Sequence, residues 1–545
     1  LDCCGRVRNE RRHRFCGKPP PLQHTPPPQS GVDTLPGFSH RSPKSSPPRD
    51  PPPSPTQKNP SPAELSICEL SGIRDSVRVL KRLLQPSALL LALFLVGGCA
   101  AFTTSRPQQS VQVDAPQAWL ESGKGHHGKI STGWLNEFSD ARMKQLVREA
   151  VAHNNNLQAT AHRLKATREG TIGARAARLP SVSGRSGYST SRSGNGSASS
   201  TTSESYSLSL NASWEPDLWG RLRDLDRASY ANYESAVADF RGARLSLAVN
   251  TAKSWANLIA AQQQLDLTTT TLSSFQDNLR IIERRYRANL LRSVDVQFGR
   301  NNVAAAERDL RNRMLSRNEA ARSLELLLGR YPSAALQSSS QLPRMKPNVP
   351  VGLPSELLAR RPDLTAARLD VYASAKRADA ARTDLLPSLR LTGASSNSTS
   401  ASSNLLNPEY LTWSIASSLA QTIYNGGAPS ADARAALEQN RAAISSYVQI
   451  CLVAFQEVES ALETERSLAE QEKFLRMEVE QAGLAEKQSE RDLAMGIEGS
   501  TVLEILEAQR RAVNARASLI RLRNDRLQNR LNLHLALGGN FETSK

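Results

Sequence analysis

At 545 residues the chain is long enough for one large or several ordinary domains, and its formal net charge of +17 raises the question of a nucleic-acid partner. The charge is distributed against that idea. Residues 1–98 carry 14 Lys+Arg against 7 Asp+Glu, and the remainder carries 55 against 45, a net +10 spread along stretches such as Arg280 to Arg287 without clustered aromatics, so no nucleic acid is expected.

The first segment, 1–76, is expected to be non-native or disordered. Residues 1–62 hold 16 of the 30 prolines, in runs such as Pro19-Pro20-Pro21, and show almost no aliphatic periodicity with which to bury a core. A proline-rich ligand arm is one reading; upstream sequence carried in the reading frame is the other, and the processing signals that follow favour it. No methionine precedes Met143, so an internal start uses a non-ATG codon, for which Val77 is suitably placed.

Residues 77–98 read as a signal peptide. Arg78, Lys81 and Arg82 form a positive n-region, and Ala88 to Val96 form an apolar run far below the ~20 residues that cross a bilayer as a helix. The ending Val96-Gly97-Gly98-Cys99 resembles a bacterial lipobox. That resemblance implies cleavage before Cys99, diacylglycerol on its thiol and an amide-linked acyl chain. Several chains anchor stably where one is marginal. Ala100 in place of Asp implies sorting to the outer membrane. Residues 99–139 follow as a lipid-anchored segment, whose His126-His127 pair in a GKGHHGK loop reads as surface. Beyond the leader only Cys99 and Cys451 remain, so no intrachain disulfide is expected, and Cys451 reads as a small buried hydrophobe.

From residue 140 the chain repeats itself at a period of about 207, which defines units 140–345 and 346–545 and is too long for a solenoid. Leu179-Pro180-Ser181 recurs as Leu386-Pro387-Ser388. Each unit opens with a helix, Asp140 to Arg178 and Leu353 to Leu385, which Pro180 and Pro387 terminate. Strand candidates follow around 180–190 and 206–214, and again around 387–395 and 411–419. In the second of each pair apolar residues alternate with polar ones: Tyr206, Leu208, Leu210, Ala212 and Trp214 against Ser207, Ser209, Asn211 and Ser213. Trp214 and Trp219 bracket the change to helical sequence, where both a membrane interface and core packing suit an indole. Gly220 and the pair Gly426-Gly427 punctuate the turns. Arg221 to Ala288 then runs without proline and reads as a helix of ~100 Å, matched by Ser430 to Met495. Further helices, Val294 to Leu328 and Thr501 to Leu537, close the units in coiled-coil-like sequence.

Alternation alone fits a soluble hairpin as well as a membrane strand. The lipoprotein signal favours the membrane, where 9–11 tilted residues span as a strand with apolar residues facing out. Four strands cannot close a barrel, since small barrels need about eight, and lipid does not tolerate an open edge. The chains are therefore expected to associate, and a homotrimer supplies twelve strands.

At this point the chain resembles the TolC/OprM-type outer-membrane factors, and among them the NodT-type lipoproteins of tripartite efflux systems. The resemblance spans about 105–540 and rests on WEPDLWGRL (Trp214 to Leu222), RRPDL (Arg360 to Leu364), LLPSL (Leu385 to Leu389), YNGG (Tyr424 to Gly427) and LEILEAQRR (Leu503 to Arg511), in order within the repeat. It implies a mostly α trimer with a membrane β-barrel of twelve strands, four per chain, continued by a long α-helical periplasmic barrel. It implies no enzyme activity and no cofactor beyond the lipid on Cys99. The partners it implies are a periplasmic adaptor (membrane fusion protein), an inner-membrane RND-type pump and outer-membrane lipid. The sequence holds no HExxH, paired CxxC, GxSxG or phosphate-binding glycine loop. The resemblance also implies a periplasmic gate near Asp295 of the first unit and Leu503, Glu504 and Glu507 of the second, an apolar ring with carboxylate rings. The family often has Asp where this chain has the longer Glu, and a solvated helix face would show the same charges. The cargo implied is small molecules (drugs, toxic compounds or metals); a type I protein-secretion duct and a pore-less lipid-anchored coiled-coil scaffold stand as alternatives.

Overall fold

The computed structural model describes residues 116, 118–120, 133–194, 200–346, 351–497 and 501–541, all within the contact unit Gln108–Lys545. Segments 1–76 and 77–98, Cys99 and the His126-His127 pair lie outside the described residues. Helices α1 (Ala141–His153) and α2 (Asn155–Ala176) lead into strands β1 (Ser181–Gly194) and β2 (Ser200–Trp214), then α3 (Arg221–Arg287) and α4 (Ser293–Leu327). The same order follows again: α5 (Pro354–Arg360), α6 (Pro362–Thr383), β3 (Ser388–Thr399), β4 (Leu411–Ala420), α7 (Ala428–Met495) and α8 (Val502–Ala536). The described residues are thus mostly helical, with one four-stranded sheet.

The sequence predicts a single opening helix in each half, and both are broken once. At Asn154 the backbone is extended, with φ −67° and ψ 118°. Its side-chain oxygen accepts the Leu157 N–H at 3.0 Å, starting α2, while its amide donates to the Leu327 carbonyl at 2.9 Å. At Arg361 the following Pro362 disfavours the α region, so α5 ends and α6 begins with proline in its first turn. The Arg361 guanidinium donates to the Ala536 carbonyl at 3.1 Å. Each break is therefore tied to the final carbonyls of the last helix of its own half. Gly329 and Gly538, just past those helices, have φ +72° and +65°, and a Cβ there would lie 2.6 Å from the His153 carbonyl oxygen and 3.0 Å from the Arg361 Cα.

The two helices of 67 and 68 residues, α3 and α7, each reach about 100 Å. Toward the strands α3 packs on α2 and α6, as in Ser235 to Ala366, and α6 packs on α7 through Ser374 and Asn440. Away from the strands α3 packs on α4 and α8, through Arg300–Glu283 and Gln264–Ala517, and α8 packs on α7. The helices thus make one layer, α2–α3–α6–α7 at one end and α4–α3–α8–α7 at the other. Two apolar clusters lie midway along it. One joins Trp134, Phe138, Met143, Trp255, Leu324 and Leu531. The other joins Trp119, Leu357, Leu364, Val458 and Leu533 around Cys451, which is fully buried as its sequence context implies.

The sheet is antiparallel throughout, in the order β1-β2-β3-β4, with β1 and β4 at its two edges. The strands exceed the sequence expectation in the first half, with 14 residues in β1 and 15 in β2.

Candidate functional site

Register sorts the sheet into two faces. Residues directly opposite in an antiparallel pair share a face, so Tyr206, Leu208, Leu210, Ala212 and Trp214 lie with Val182 and Tyr188 of β1, Leu389 and Leu391 of β3, and Leu411, Trp413, Ile415 and Leu419 of β4. These side chains are largely uncovered: Ile415 is 80% exposed and Trp413 73%. The opposite face carries Ser, Thr, Asn, small residues and two arginines. From Tyr206 to Trp214 the apolar row runs about 27 Å along the strand, or about 20 Å of height at a tilt of ~40°.

The junction between sheet and helices is built from WEPDLWGRL. The Trp214 indole donates to the Arg178 carbonyl at 3.0 Å and the Trp219 indole to the Pro387 carbonyl at 2.7 Å, so each ring pins the entry to a neighbouring strand. The Asp217 carboxylate accepts the N–H groups of Leu222 and Arg223 at 3.1 and 2.8 Å, satisfying donors that the start of α3 leaves free. Glu215 and Asp384 both meet Arg221, at 2.6 and 3.4 Å. Gly220 has φ +82°, and a Cβ there would lie 2.7 Å from the Arg223 guanidinium. Gly426 and Gly427 also have positive φ, +57° and +83°, in open surroundings; at all three positions it is the backbone that demands glycine, since the end of the Arg223 side chain can swing aside. Sequence reading singles out the tryptophans and glycines; Glu215, Asp217 and Arg221 do the capping and pairing.

At the other end of α3 and α7, Ile282, Val296, Leu493, Val502 and Ile505 pack together and join all four long helices. The four residues expected to form a gate behave differently here. Asp295 is 7% exposed, and its carboxylate accepts the Arg292 N–H at 3.0 Å. It is a buried cap of α4, not a residue facing an opening. Glu504, at the equivalent place in α8, accepts the Thr501 N–H at 3.2 Å while the Thr501 hydroxyl accepts its own N–H at 3.3 Å, a capping box. Leu503 is 65% exposed. Together with Leu506, Glu507 and Arg510 it walls a groove of about 480 Å³, opposite Phe298, Asn301, Asn302 and Ala305 of α4. Arg511 and Arg510 both pair with Glu507, at 2.8 Å each, and hold its carboxyl below the usual carboxylate range.

A second cluster of charge, which sequence reading misses, locks α7 to α8. Glu472 accepts from Arg476 at 2.6 Å, Arg526 at 2.9 Å and Arg523 at 3.1 Å; Glu465 accepts from Arg530 at 2.6 Å and Arg526 at 3.2 Å. Burial pushes the Glu472 carboxyl up, but the three guanidiniums outweigh it and bring it down to about 2. The seven-residue spacing of Glu465 and Glu472, facing Arg523, Arg526 and Arg530, is the signal that could have found it. At RRPDL, Arg361 binds Asp363 at 3.0 and 2.7 Å and Glu457 at 2.6 Å. Burial raises the Asp363 carboxyl, yet the bonds from Arg361 leave it below its ordinary value.

Among the described residues no group of three or more His, Cys, Asp or Glu is placed to hold a metal ion, and no helix is long and apolar enough to cross a membrane.

Comparison with known proteins follows the same division of the chain. The sequence pattern of the outer membrane efflux protein family matches residues 146–330 and again 353–539. The cation efflux system protein CusC of Escherichia coli K12 is 29% identical over 457 residues, covering 82% of this chain and 98% of CusC. The probable outer membrane lipoprotein SilC of Salmonella typhimurium is 25% identical over 457 residues, covering 82% and 97%. Among solved structures, the outer-membrane channel OprN superposes with a TM-score of 0.72 at 24% identity, covering 80% of this chain and 99% of OprN.

Proposed function

The chain belongs to the outer membrane efflux protein family, and from that membership we propose that three copies form the outer-membrane exit channel of a tripartite efflux system. One observation carries the reading: a four-stranded sheet with both edges open, one face bearing rows of exposed apolar side chains and the other without any large apolar residue. In a bilayer such a sheet must close on itself, with its apolar face toward lipid. Two copies give eight strands, whose interior side chains fill; three give twelve and leave a passage. The helical layer is likewise open along α4 and α7, where Phe298, Leu315, Phe474 and Leu484 stand exposed. Contact between copies covers them. A pore-less scaffold would leave the apolar strand face bare, and no observation favours a protein-secretion duct.

The two halves, 140–345 and 346–545, are taken as copies of one unit. Trp214 and Trp219 stand at the periplasmic interface of the barrel. Cys99 carries the lipid anchor, in keeping with the word lipoprotein in the name of SilC. The α4/α8 ends form the periplasmic gate, with Leu503 the apolar constriction and Glu507 beside it. A periplasmic adaptor and an inner-membrane RND-type pump supply cargo and energy, so the channel itself needs no cofactor, and its cargo is small molecules. Opening is a separation of helix ends driven by partner contacts.

The test is direct. Protein extracted from outer membranes is expected to have the mass of three chains and to conduct in planar bilayers, with Leu503→Gly raising the conductance. A monomer, or a trimer that conducts in neither form, refutes the reading.

A further inference from the structure

The polar face of the sheet carries charge of one sign only. In β1 it presents Ser181, Ser183, Arg185, Gly187 and Ser189; in β3, Ser388, Arg390, Thr392, Ala394 and Ser396; β2 and β4 add Ser, Thr, Asn and Ala. Arg185 and Arg390 are its only charged residues. The other charges in the strands, Arg192 and Glu204, fall on the apolar face beyond its apolar rows, and Glu409 lies in the β3–β4 connection. Segment 195–199, NGSAS, adds no charge. Both arginines are exposed, and among the described residues neither has a carboxylate partner. The carboxylates just outside the sheet are already engaged: Glu215 and Asp384 by Arg221, and Asp217 by the amides of α3.

Register places the two arginines in separate tiers. Arg185 lies opposite Ser209, which lies opposite Ser396, six residues along β3 from Arg390 and so about 20 Å along the strand direction. The helix tip does not offset them. There Glu504 and Glu507 are matched by Arg510 and Arg511, both on Glu507.

We propose that the strand-built passage is anion-preferring, and that Arg185 and Arg390 are the residues that set this preference. The inference rests on the three-copy channel reading, in which the polar face lines the lumen and each arginine becomes a ring of three. Rings of charged side chains select ions of opposite sign. Three guanidiniums about 10 Å from an axis, screened by 0.1 M salt, enrich chloride roughly twofold and deplete potassium by the same factor, a ratio on the order of four. Anionic cargo, including metal carried as an anionic complex, passes such a lumen more readily than a bare cation of equal size.

Reversal potentials under a potassium chloride gradient in planar bilayers test this, with purified wild type, R185S/R390S and R185E/R390E, each also in the Leu503→Gly background so that the barrel limits the current. Trimer mass in detergent checks assembly of every variant. Chloride preference in the wild type, its loss in the serine pair and its reversal in the glutamate pair are expected. Equal selectivity in all three, with conductance retained, overturns the assignment while leaving the channel standing. No conductance from any assembled form overturns the channel reading, and this inference with it.

Discussion

Replacing Glu472 with glutamine isolates the lock between α7 and α8. The carboxylate is almost wholly buried, with 8% of its side chain exposed, and it receives three guanidiniums from Arg476, Arg523 and Arg526. Its pKa of about 2, against 4.5 for an ordinary glutamate, corresponds to about 3 kcal/mol at neutral pH. Arg476 and Arg523 are 62% and 46% exposed, so solvent screens part of this, and about 2 kcal/mol is the realistic loss. Because the folded pKa is depressed, the stabilisation is complete above about pH 4.5 and disappears as pH falls toward 2. Wild type should therefore lose thermal stability through that window. E472Q should start lower at pH 7 and change less between pH 4.5 and 2. Circular dichroism at 222 nm, recorded as melting curves from pH 7 to pH 2 in detergent, measures both. Parallel pH profiles for the two proteins, or equal melting at pH 7, would refute the reasoning.

Other substitutions report on other parts. Asp217→Ala removes the cap of α3 and is expected to cost about 1 kcal/mol in chemical denaturation. Gly329→Ala combines positive φ with a 2.6 Å approach to the backbone carbonyl oxygen of His153, so it should destabilise more than Gly426→Ala, which has open space and only the backbone cost of about 1 kcal/mol. Trp413→Arg puts a charge on the apolar strand face at a cost of about 2–4 kcal/mol if it lies near the bilayer midplane, and should lower the yield of heat-resistant trimers in membranes. Arg361→Ala strips the buried partner from Asp363 and the Ala536 carbonyl, and Arg361→Lys should rescue little because a point charge cannot reproduce the two-pronged bond.

Periodicity made most of the secondary structure legible. The two-residue alternation of Tyr206 to Trp214 and the proline-free run from Arg221 are local signals, and the repeat let weak signals in one half support those in the other. The break at Asn154 carries no proline; its cap on Leu157 is local, but its tie to a carbonyl 173 residues away, at Leu327, lies outside any window of sequence. The break at Arg361 was legible in Pro362 yet hidden by the motif around it. For the carboxylates expected at the gate, the local partners were legible as well. Thr501-x-x-Glu504 is itself a capping signal, and Arg510 and Arg511 follow Glu507 at helical spacing, so the partners that occupy these carboxylates stood in the sequence beside them. The Glu465–Arg530 pair, 65 residues apart, needed the packing of α7 on α8.

The order of the sheet and the order of the helical layer bear on each other. Strands run β1-β2-β3-β4, and the helices continuous with them run α2-α3-α6-α7 in the same sequence, since α2 enters β1, β2 leaves into α3, α6 enters β3 and β4 leaves into α7. Each strand and its helix thus form one column, and the two open edges of the sheet belong to the same columns as the two open edges of the helical layer. A neighbouring copy that pairs with β4 stands beside α7 as well. In the proposed three-copy channel, closure in lipid and closure in water are then a single event, with unpaired strand amides excluding partial closure at one end and exposed apolar side chains disfavouring it at the other. Trp413→Arg should for this reason also loosen contacts between helices far from the bilayer. Protease susceptibility of α7 around Phe474 measures this: enhanced cleavage in the variant is expected, and unchanged cleavage of a detergent-stable trimer would show that the two closures are independent.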